Sequence, residues 1–269
     1  MRAKTWAVAA CAGLITTVAV TAQPPKTGTV KPASGEVGAP AKAAEPTKAT
    51  AEGLTAVLGD CRTALGKVRD YSCTFTRQES RNGTVGAEQV AEMKVRSAPV
   101  GVYARFARPD AIAGMEVAYS GARKLAKVKY RPAGVEGAKG FRSISPDDTK
   151  FLSENRHPVP AWTMSALLER VAASVAREKG LNNPVEVFTS EHQFAGRNVT
   201  KYEVFTRRPH AFRTAHKMVV YVDQQTKLPV RFEMYDQPKG GATTGELLEA
   251  YSFTDLKLNT GIGEATFDV

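Results

Sequence analysis

The amino-acid sequence predicts a mainly β (α+β) protein, a strongly curved antiparallel sheet or half-barrel of about ten strands with two helices covering the concave face. Apolar residues alternate with polar ones along many short segments, and turn residues separate these segments. The connections are short, which demands antiparallel pairing because parallel strands need crossovers of roughly a dozen residues or more. A sheet of this size curls, and two segments with helical periodicity are available to cover one face. A β-sandwich is the alternative.

The chain begins with a segment typical of a secretory signal peptide. Arg2 and Lys4 precede an apolar run over 6–20, and small residues follow it, which predicts cleavage after residue 22 and a signal peptide over 1–22. The alternative is a lipidated Cys11, but that interpretation leaves the apolar run beyond Cys11 unused. Both interpretations predict a periplasmic or otherwise exported protein.

Residues 23–50 are predicted to form a disordered linker rich in Pro, Ala and Lys. They contain five prolines and four lysines but no aromatic residue, Leu, Ile or Met, so they bury too little surface to offset the entropy of ordering. Residues 51–269 then form a single curved-sheet domain. The formal charge of +10 falls to +6 without the first fifty residues, a moderate basic bias. Composition excludes a collagen, a coiled coil, an integral membrane protein and a disulfide-dense miniprotein.

The first half of the domain is predicted to be one helix followed by a meander. Leu54, Leu58, Cys61 and Leu65 recur at helical spacing and predict a helix over 51–68. Period-two alternation then begins, with a hairpin turn at Asn82-Gly83. The predicted strands of this half cover 71–79, 89–97, 100–108, 115–119, 124–131 and 141–144, with a loop over 132–140.

A second helix separates the two halves of the meander. Met164, Leu167, Leu168, Val171 and Val175 repeat at helical spacing, and the pattern ends before a Gly and Pro cluster near residue 180. Strands resume after this helix, again joined by short turns. They are predicted over 185–191, 197–206, 215–222, 230–235 and 247–255.

Two cysteines remain in the folded domain. Cys61 lies on the apolar face of the first helix, and Cys73 alternates with Tyr71 and Phe75 on the strand that follows. Because an oxidising compartment permits disulfides, a bridge between Cys61 and Cys73 is expected. Two buried free thiols are the alternative.

The sequence contains no motif that carries catalysis, such as a zinc-protease signature, a nucleophile elbow, a P-loop or a dinucleotide-binding fingerprint. Its four histidines are scattered over turns and a strand end. We therefore predict no enzyme activity, no metal site and no cofactor. The segment Arg156-His157-Pro158 is interpreted as a structural lead into the second helix.

Basic residues recur on the strands of the first half and are interleaved with aromatic residues. Export argues against a nucleic-acid partner, and Lys94 shares its strand phase with Glu92, so the pattern indicates a solvated outer face. The partner that such a face would suit is an anionic membrane surface or an acidic envelope polymer. The set comprises Lys94, Arg96, Arg105, Arg108, Arg123, Lys124, Lys127, Lys129 and Arg131.

Several separated segments resemble the bacterial domain-of-unknown-function family 1571, over about 54–267. They are Asp70-Tyr71-Ser72-Cys73-Thr74-Phe75-Thr76-Arg77-Gln78-Glu79, Gly114-Met115-Glu116-Val117-Ala118-Tyr119 and Asn155-Arg156-His157-Pro158. Val222-Asp223, Leu228-Pro229-Val230-Arg231 and the run from Tyr251 to Asn259 agree as well. These last segments also resemble, more loosely, the periplasmic lipoprotein carrier (LolA-like) superfamily.

The superfamily resemblance implies an exported protein that holds an acyl chain of a lipid or lipoprotein on the apolar concave face of a half-barrel. The narrow family implies no established activity and therefore no catalytic residue. If the same apolar face fills a closed core instead, the protein is a non-enzymatic envelope sensor or scaffold that binds another protein. The residues expected to line the cavity are Phe75, Met93, Val95, Val102, Phe106, Val117, Met164, Leu168 and Val171.

Overall fold

The computed structural model describes residues 45–183, 185–206, 213 and 215–269. The signal peptide expected over 1–22, including Cys11, and most of the predicted linker lie outside these residues. None of the helices in the described part is both long enough and apolar enough to traverse a bilayer.

All strands of the described chain belong to one antiparallel sheet. In sheet order they run β1, β9, β10, β11, β12, β13, β2, β4, β5, β6, β7 and β8, and β3 pairs with β2 beside this path. The sheet does not close, so the predicted mainly β, half-barrel class is confirmed. The strands are β1 Thr47–Ala49, β2 Asp70–Arg81, β3 Thr84–Val85, β4 Gln89–Arg96, β5 Gly101–Arg108, β6 Glu116–Ser120, β7 Val128–Arg131, β8 Arg142–Ile144, β9 Val185–Phe194, β10 Arg197–Thr206, β11 Lys217–Asp223, β12 Pro229–Tyr235 and β13 Leu247–Leu258.

The two predicted helices are present, and each begins at a threonine cap. Thr50 accepts a hydrogen bond from the backbone N–H of Gly53 at 3.0 Å, and Thr163 accepts one from Ala166 at 3.2 Å. Two further short helices were not predicted. The helices are α1 Ala51–Gly66, α2 Gly134–Gly137, α3 Thr149–Glu154 and α4 Met164–Gly180, and 3₁₀ turns cover Asp110–Ile112, Val159–Trp162 and Glu264–Phe267.

The structure corrects two predictions in the first half of the meander. The loop expected over 132–140 contains α2, where a Cβ on Gly137 would stand 2.3 Å from the Pro132 carbonyl oxygen. The strand expected over 124–131 begins only at Val128, because its partner β6 ends at Ser120 and offers no backbone groups further on. The other predicted strands are all present, with ends shifted by at most three residues.

Thr47–Ala49 also differ from expectation, since they lie in the predicted linker yet form β1. They pair with Val187, Phe188 and Thr189 of β9. The segment has no large apolar residue of its own, so the edge of the sheet supplies the hydrogen bonds that order it. Thr47–Ala49 therefore belong to the sheet and not to the linker predicted over 23–50.

The alternation predicted for the strands assigns the buried face correctly. Phe75 pairs with Ala91 on β4 and with Phe253 on β13, and Ala91 pairs in turn with Phe106 on β5. Paired residues share a side of the sheet, so these side chains all point toward the face that α1 and α4 cover. Phe106 shares this face with Val102 and Ala104, as its strand phase predicted.

The predicted disulfide is absent from the structure, in which Cys61 and Cys73 are both free and buried. Each thiol packs as a small apolar group on its own element, and facing the same core does not bring two cysteines within bridging distance. Burial, with a smaller contribution from Asp60, raises the pKa of Cys61 to about 12. Burial likewise raises the pKa of Cys73. Both thiols are therefore held in the unreactive protonated form.

We expect Cys61 and Cys73 to resist alkylation in the native protein and to react fully once it is unfolded, because only the exposed thiolate is nucleophilic. Alkylation at pH 8 with and without 6 M guanidinium chloride, followed by peptide mapping, measures this. A peptide linking the two cysteines under non-reducing conditions would contradict the free-thiol structure.

Candidate functional site

The nine residues predicted to line a cavity do converge on one face, but they fill the space between the sheet and the helices. Each is at most 2% exposed, and all belong to the main apolar core. None of them lines the cleft between α1, α4 and β9 or the small pocket at the ends of β6, β7 and β8. In this conformation the concave face is therefore a packed interior.

Trp162, which the sequence analysis did not single out, occupies the centre of this interior. Its ring stacks on Phe75 and on Phe151, with centroids 6.3 Å apart in each case, and meets Phe106 edge-on at 6.4 Å. The guanidinium of Arg77 lies 4.2 Å above the same ring. Sequence periodicity could not place Trp162, because this residue ends a short 3₁₀ turn, Val159–Trp162, that follows Pro158 and leads into α4.

Arg77 brings a charge into the apolar face. It continues the inward phase of Tyr71, Cys73 and Phe75, and its side chain is only 4% exposed. Its Nε donates to Gln89 and its Nη2 donates to Asn155, at 2.8 and 2.7 Å, while Nη1 makes no hydrogen bond with any described residue. Burial lowers the pKa of Arg77, although nearby Glu79 opposes this effect. The alternation of inward-facing and outward-facing residues along β2 was by itself enough to indicate that Arg77 is buried.

A buried ionic cluster, which we call the Glu249 cluster, lies beside Arg77. Glu249 on β13 contacts His157 Nε2 at 2.5 Å, Arg156 Nε at 3.2 Å and Arg170 Nη2 at 3.2 Å. Burial of Glu249 on its own would raise its pKa, but the hydrogen bond with His157 and the charges of Arg170 and Arg156 hold that pKa below the usual range. The carboxylate is therefore ionised and joins the sheet to the helical layer.

Tyr251 and Glu79 extend the Glu249 cluster to the neighbouring strand. The Tyr251 hydroxyl donates to Glu79 Oε1 at 2.5 Å, and Glu79 Oε2 accepts the backbone N–H of Arg156 at 2.7 Å. Burial, together with the carboxylates of Glu249 and Glu79, raises the pKa of Tyr251 well above its ordinary value. The predicted lead segment Arg156-His157-Pro158 is thus an anchoring segment, and its polar groups are used within the fold.

An open cleft lies elsewhere, between α1, α4 and the start of β9. We call it the α1–α4 groove, and its volume is about 740 Å³. Its apolar lining comes from Ala51, Leu58, Ala172, Val175, Ala176 and Val185. Its polar lining comes from Glu52, Thr55, Arg62, Lys179, Asn182 and Asn183. Arg62 also forms a bidentate pair with Glu169 that joins the two helices, with distances of 2.6 and 2.8 Å.

Asn183 places a buried polar side chain at the α1–α4 groove. Its side chain donates to Glu178, which Arg213 also holds at 3.1 and 3.2 Å, and the residue is only 3% exposed. The Asn183 Oδ1 atom is buried and accepts no hydrogen bond from the described residues. An unsatisfied buried acceptor costs about 1–3 kcal/mol.

The histidines do not form a metal centre in the described part of the chain, where no three His, Cys, Asp or Glu side chains converge as a ligand set. His157 is used in the Glu249 cluster, and His192 contacts the Ser190 hydroxyl at 2.9 Å.

The family model described as "Protein of unknown function (DUF1571)" matches residues 68–269, and the chain belongs to this family. The predicted family resemblance is thereby confirmed. A search of curated protein sequences gives no significant match.

Several solved structures resemble the fold. An uncharacterised conserved protein from Thermus thermophilus is 10% identical, with a TM-score of 0.46 over 81% of this chain and 93% of that one. The lipoprotein LppX from Mycobacterium tuberculosis is 12% identical, with a TM-score of 0.46 over 79% of this chain and 98% of that one. A putative outer membrane lipoprotein-sorting protein domain from Vibrio parahaemolyticus is 13% identical, with a TM-score of 0.38 over 81% and 97%. Such identities describe the fold and leave function to be argued from the site.

We expect Glu249→Gln to lower the free energy of unfolding at pH 7 by roughly 3 kcal/mol, because it leaves His157, Arg156 and Arg170 without their shared carboxylate. The pKa of Glu249 is lower in the folded protein, so its contribution is present above the unfolded value of about 4.3 and is lost as the pH falls through the folded pKa. The difference between parent and variant should therefore shrink between pH 5 and pH 3, as measured by urea unfolding.

Glu92→Gln is the matched control, since Glu92 is an exposed glutamate on β4. We expect its effect at pH 7 to stay within about 0.5 kcal/mol. If Glu249→Gln were as mild as Glu92→Gln, the Glu249 cluster would not be what joins the layers.

Proposed function

We propose that this protein is an exported, non-enzymatic binding protein of the cell envelope that shelters an acyl chain of a lipid or lipoprotein. The α1–α4 groove is the observation that carries the proposal. Its volume of about 740 Å³ lies within the roughly 300–1,000 Å³ of ordinary ligand pockets, and half of its lining residues are apolar. The helices that form it lie over the buried face of the half-barrel.

The energetic basis of sheltering is the transfer of methylenes from water. Each buried CH₂ contributes about 0.8 kcal/mol, so even ten methylenes in an apolar groove contribute about 8 kcal/mol before the costs of ordering. In this proposal the acyl chain of the ligand lies along Leu58, Val175 and Val185 and not in the filled interior around Trp162. The ligand can therefore reach the groove without displacing the aromatic core.

The free Oδ1 of Asn183 narrows the chemistry of the ligand. A saturated acyl chain alone leaves this acceptor unpaired, whereas the donor of an acyl amide or a hydroxylated glyceride can pair with it once the Asn183 side chain turns toward the groove. The exposed ammonium of Lys179 stands on the same lining and suits an anionic or carbonyl-rich head. The proposed ligand is therefore an amphiphile with an acyl chain and a hydrogen-bond donor close to it.

A second candidate is a scaffold that binds another envelope protein by strand addition. The observation in its favour is that the outer edge of β9 is only partly paired. Of the ten residues of β9, only Val187, Phe188 and Thr189 pair with β1. The remaining outer edge of β9, toward Phe194, meets no other described strand. An extended peptide could pair there through its backbone.

Organic extraction followed by mass spectrometry separates the two candidates. Protein exported by a bacterial host and purified without detergent should carry an amphiphile at close to one molecule per chain, or should take up a fluorescent fatty acid once delipidated. A protein that carries no lipid and takes up no probe would contradict the proposed function and favour the scaffold.

We expect Ala176→Trp to weaken fluorescent fatty-acid binding at least about tenfold, because the indole occupies the groove next to Val175. Ala173→Trp is the matched control, since Ala173 is an exposed alanine of α4 outside the groove lining. Both variants should keep the parent's melting temperature within a few degrees, as surface substitutions do. Equal probe affinity in the two variants would mean that the groove is not the binding site.

A further inference from the structure

A small basic pocket lies on the opposite side of the sheet from the α1–α4 groove's helices, at the ends of β6, β7 and β8. It measures about 190 Å³, and Arg123, Lys127 and Lys129 line it together with the hydroxyl-bearing Ser120 and Ser143. Lys129 pairs with both Ala118 and Ser143 in the strand register, so these residues share the outer face of the sheet. Lys127, Lys129 and the Ser143 hydroxyl, around so small a space, suit a compact anion.

The carboxylates beside this basic pocket are already paired. Asp268 is paired with Arg123, and Glu264 accepts the Ser120 hydroxyl at 2.6 Å while its other oxygen contacts Arg96 at 2.6 Å. Within the described chain, Lys127 and Lys129 have no carboxylate partner. Lys124 adds a further exposed ammonium on the same loop. Among the residues that the structure describes, the pocket therefore keeps the excess positive charge of Lys127 and Lys129.

The loop that forms the wall of this basic pocket also exposes an apolar side chain. Leu125 is 83% exposed and stands between Lys124 and Lys127 in the turn over 121–127. The large apolar residues recorded as exposed in the described chain are Val85, Leu125, Val135 and Leu181, and among these only Leu125 lines the basic pocket. A soluble anion would gain nothing from Leu125, whereas a membrane offers it the acyl region below the headgroups.

We propose that the 121–127 loop and the basic pocket dock the protein on an anionic phospholipid membrane, with a headgroup phosphate in the pocket and Leu125 inserted among the upper methylenes. Electrostatic attraction and apolar insertion are each weak, and their combination gives reversible membrane association. This surface is separate from the α1–α4 groove and does not depend on the groove's occupant. It gives four basic residues of the first half, Arg123, Lys124, Lys127 and Lys129, a role at one end of the sheet.

Vesicle co-sedimentation of the full folded protein tests the proposal. The parent protein should bind vesicles that contain phosphatidylglycerol and should not bind pure phosphatidylcholine vesicles. Its binding should weaken as salt is added. Since each basic residue near an anionic surface contributes about fivefold, Lys127→Glu with Lys129→Glu should weaken partitioning at least about 30-fold. Leu125→Ala should weaken it about threefold to tenfold with no change in melting temperature.

Lys94→Glu with Lys257→Glu is the matched control, because it changes the net charge equally on the same outer face but on β4 and β13. We expect it to weaken partitioning by less than about fivefold. If both double variants lost binding equally, the association would reflect net charge alone and the proposed docking site would be wrong.

Two further readouts separate the sources of phosphate. Leu125→Trp should show a blue-shifted emission with phosphatidylglycerol vesicles, which reports insertion. Inorganic phosphate at 10 mM should displace little protein from those vesicles beyond the effect of equal ionic strength. Binding of inorganic phosphate without vesicle binding, or vesicle binding without a blue shift, would overturn the membrane-docking proposal.

Discussion

The carboxylate of Glu249 is buried where β13 pairs with β2, and three cationic or imidazole groups from the helical layer converge on it. An isolated buried charge would be costly, and here the pairing with His157, Arg156 and Arg170 compensates for the lost hydration. This interaction sets where the segment before α4 crosses the sheet. The positions of Trp162 and of α4 follow from that crossing, and so does the shape of the interior.

The filled interior is a consequence of this anchoring. Arg156 and His157 are held against β13, and the 3₁₀ turn Val159–Trp162 follows them directly. The indole of Trp162 therefore packs between Phe75, Phe106 and Phe151. Arg77 lies over that indole and links the aromatic stack to the ionic groups. The space left open is at the far end of α4, where no comparable anchor within the described chain draws α1 and α4 together beyond the exposed pair Arg62 and Glu169.

The two candidate binding surfaces use different parts of the fold for different physical reasons. The α1–α4 groove offers apolar area beside polar side chains, so it suits an amphiphile. The 121–127 loop offers unpaired lysines and an exposed leucine at a sheet end, so it suits a charged interface between water and hydrocarbon. Membership in a family of unknown function assigns neither role, and each therefore depends on its own side chains.

The sequence by itself determined the class of fold, the two long helices, most strand positions and the inward face, because these depend on periodicities of 3.6 and 2 residues and on short turns. The same strand phase that places Phe75 and Phe106 in the core also places Arg77 there. Tertiary structure alone decided that the concave face is filled, that Cys61 and Cys73 are free thiols, and that Thr47–Ala49 and α2 are ordered. Each of these depends on distances between residues far apart in the chain, such as His157 to Glu249, and local periodicity carries no information about such distances.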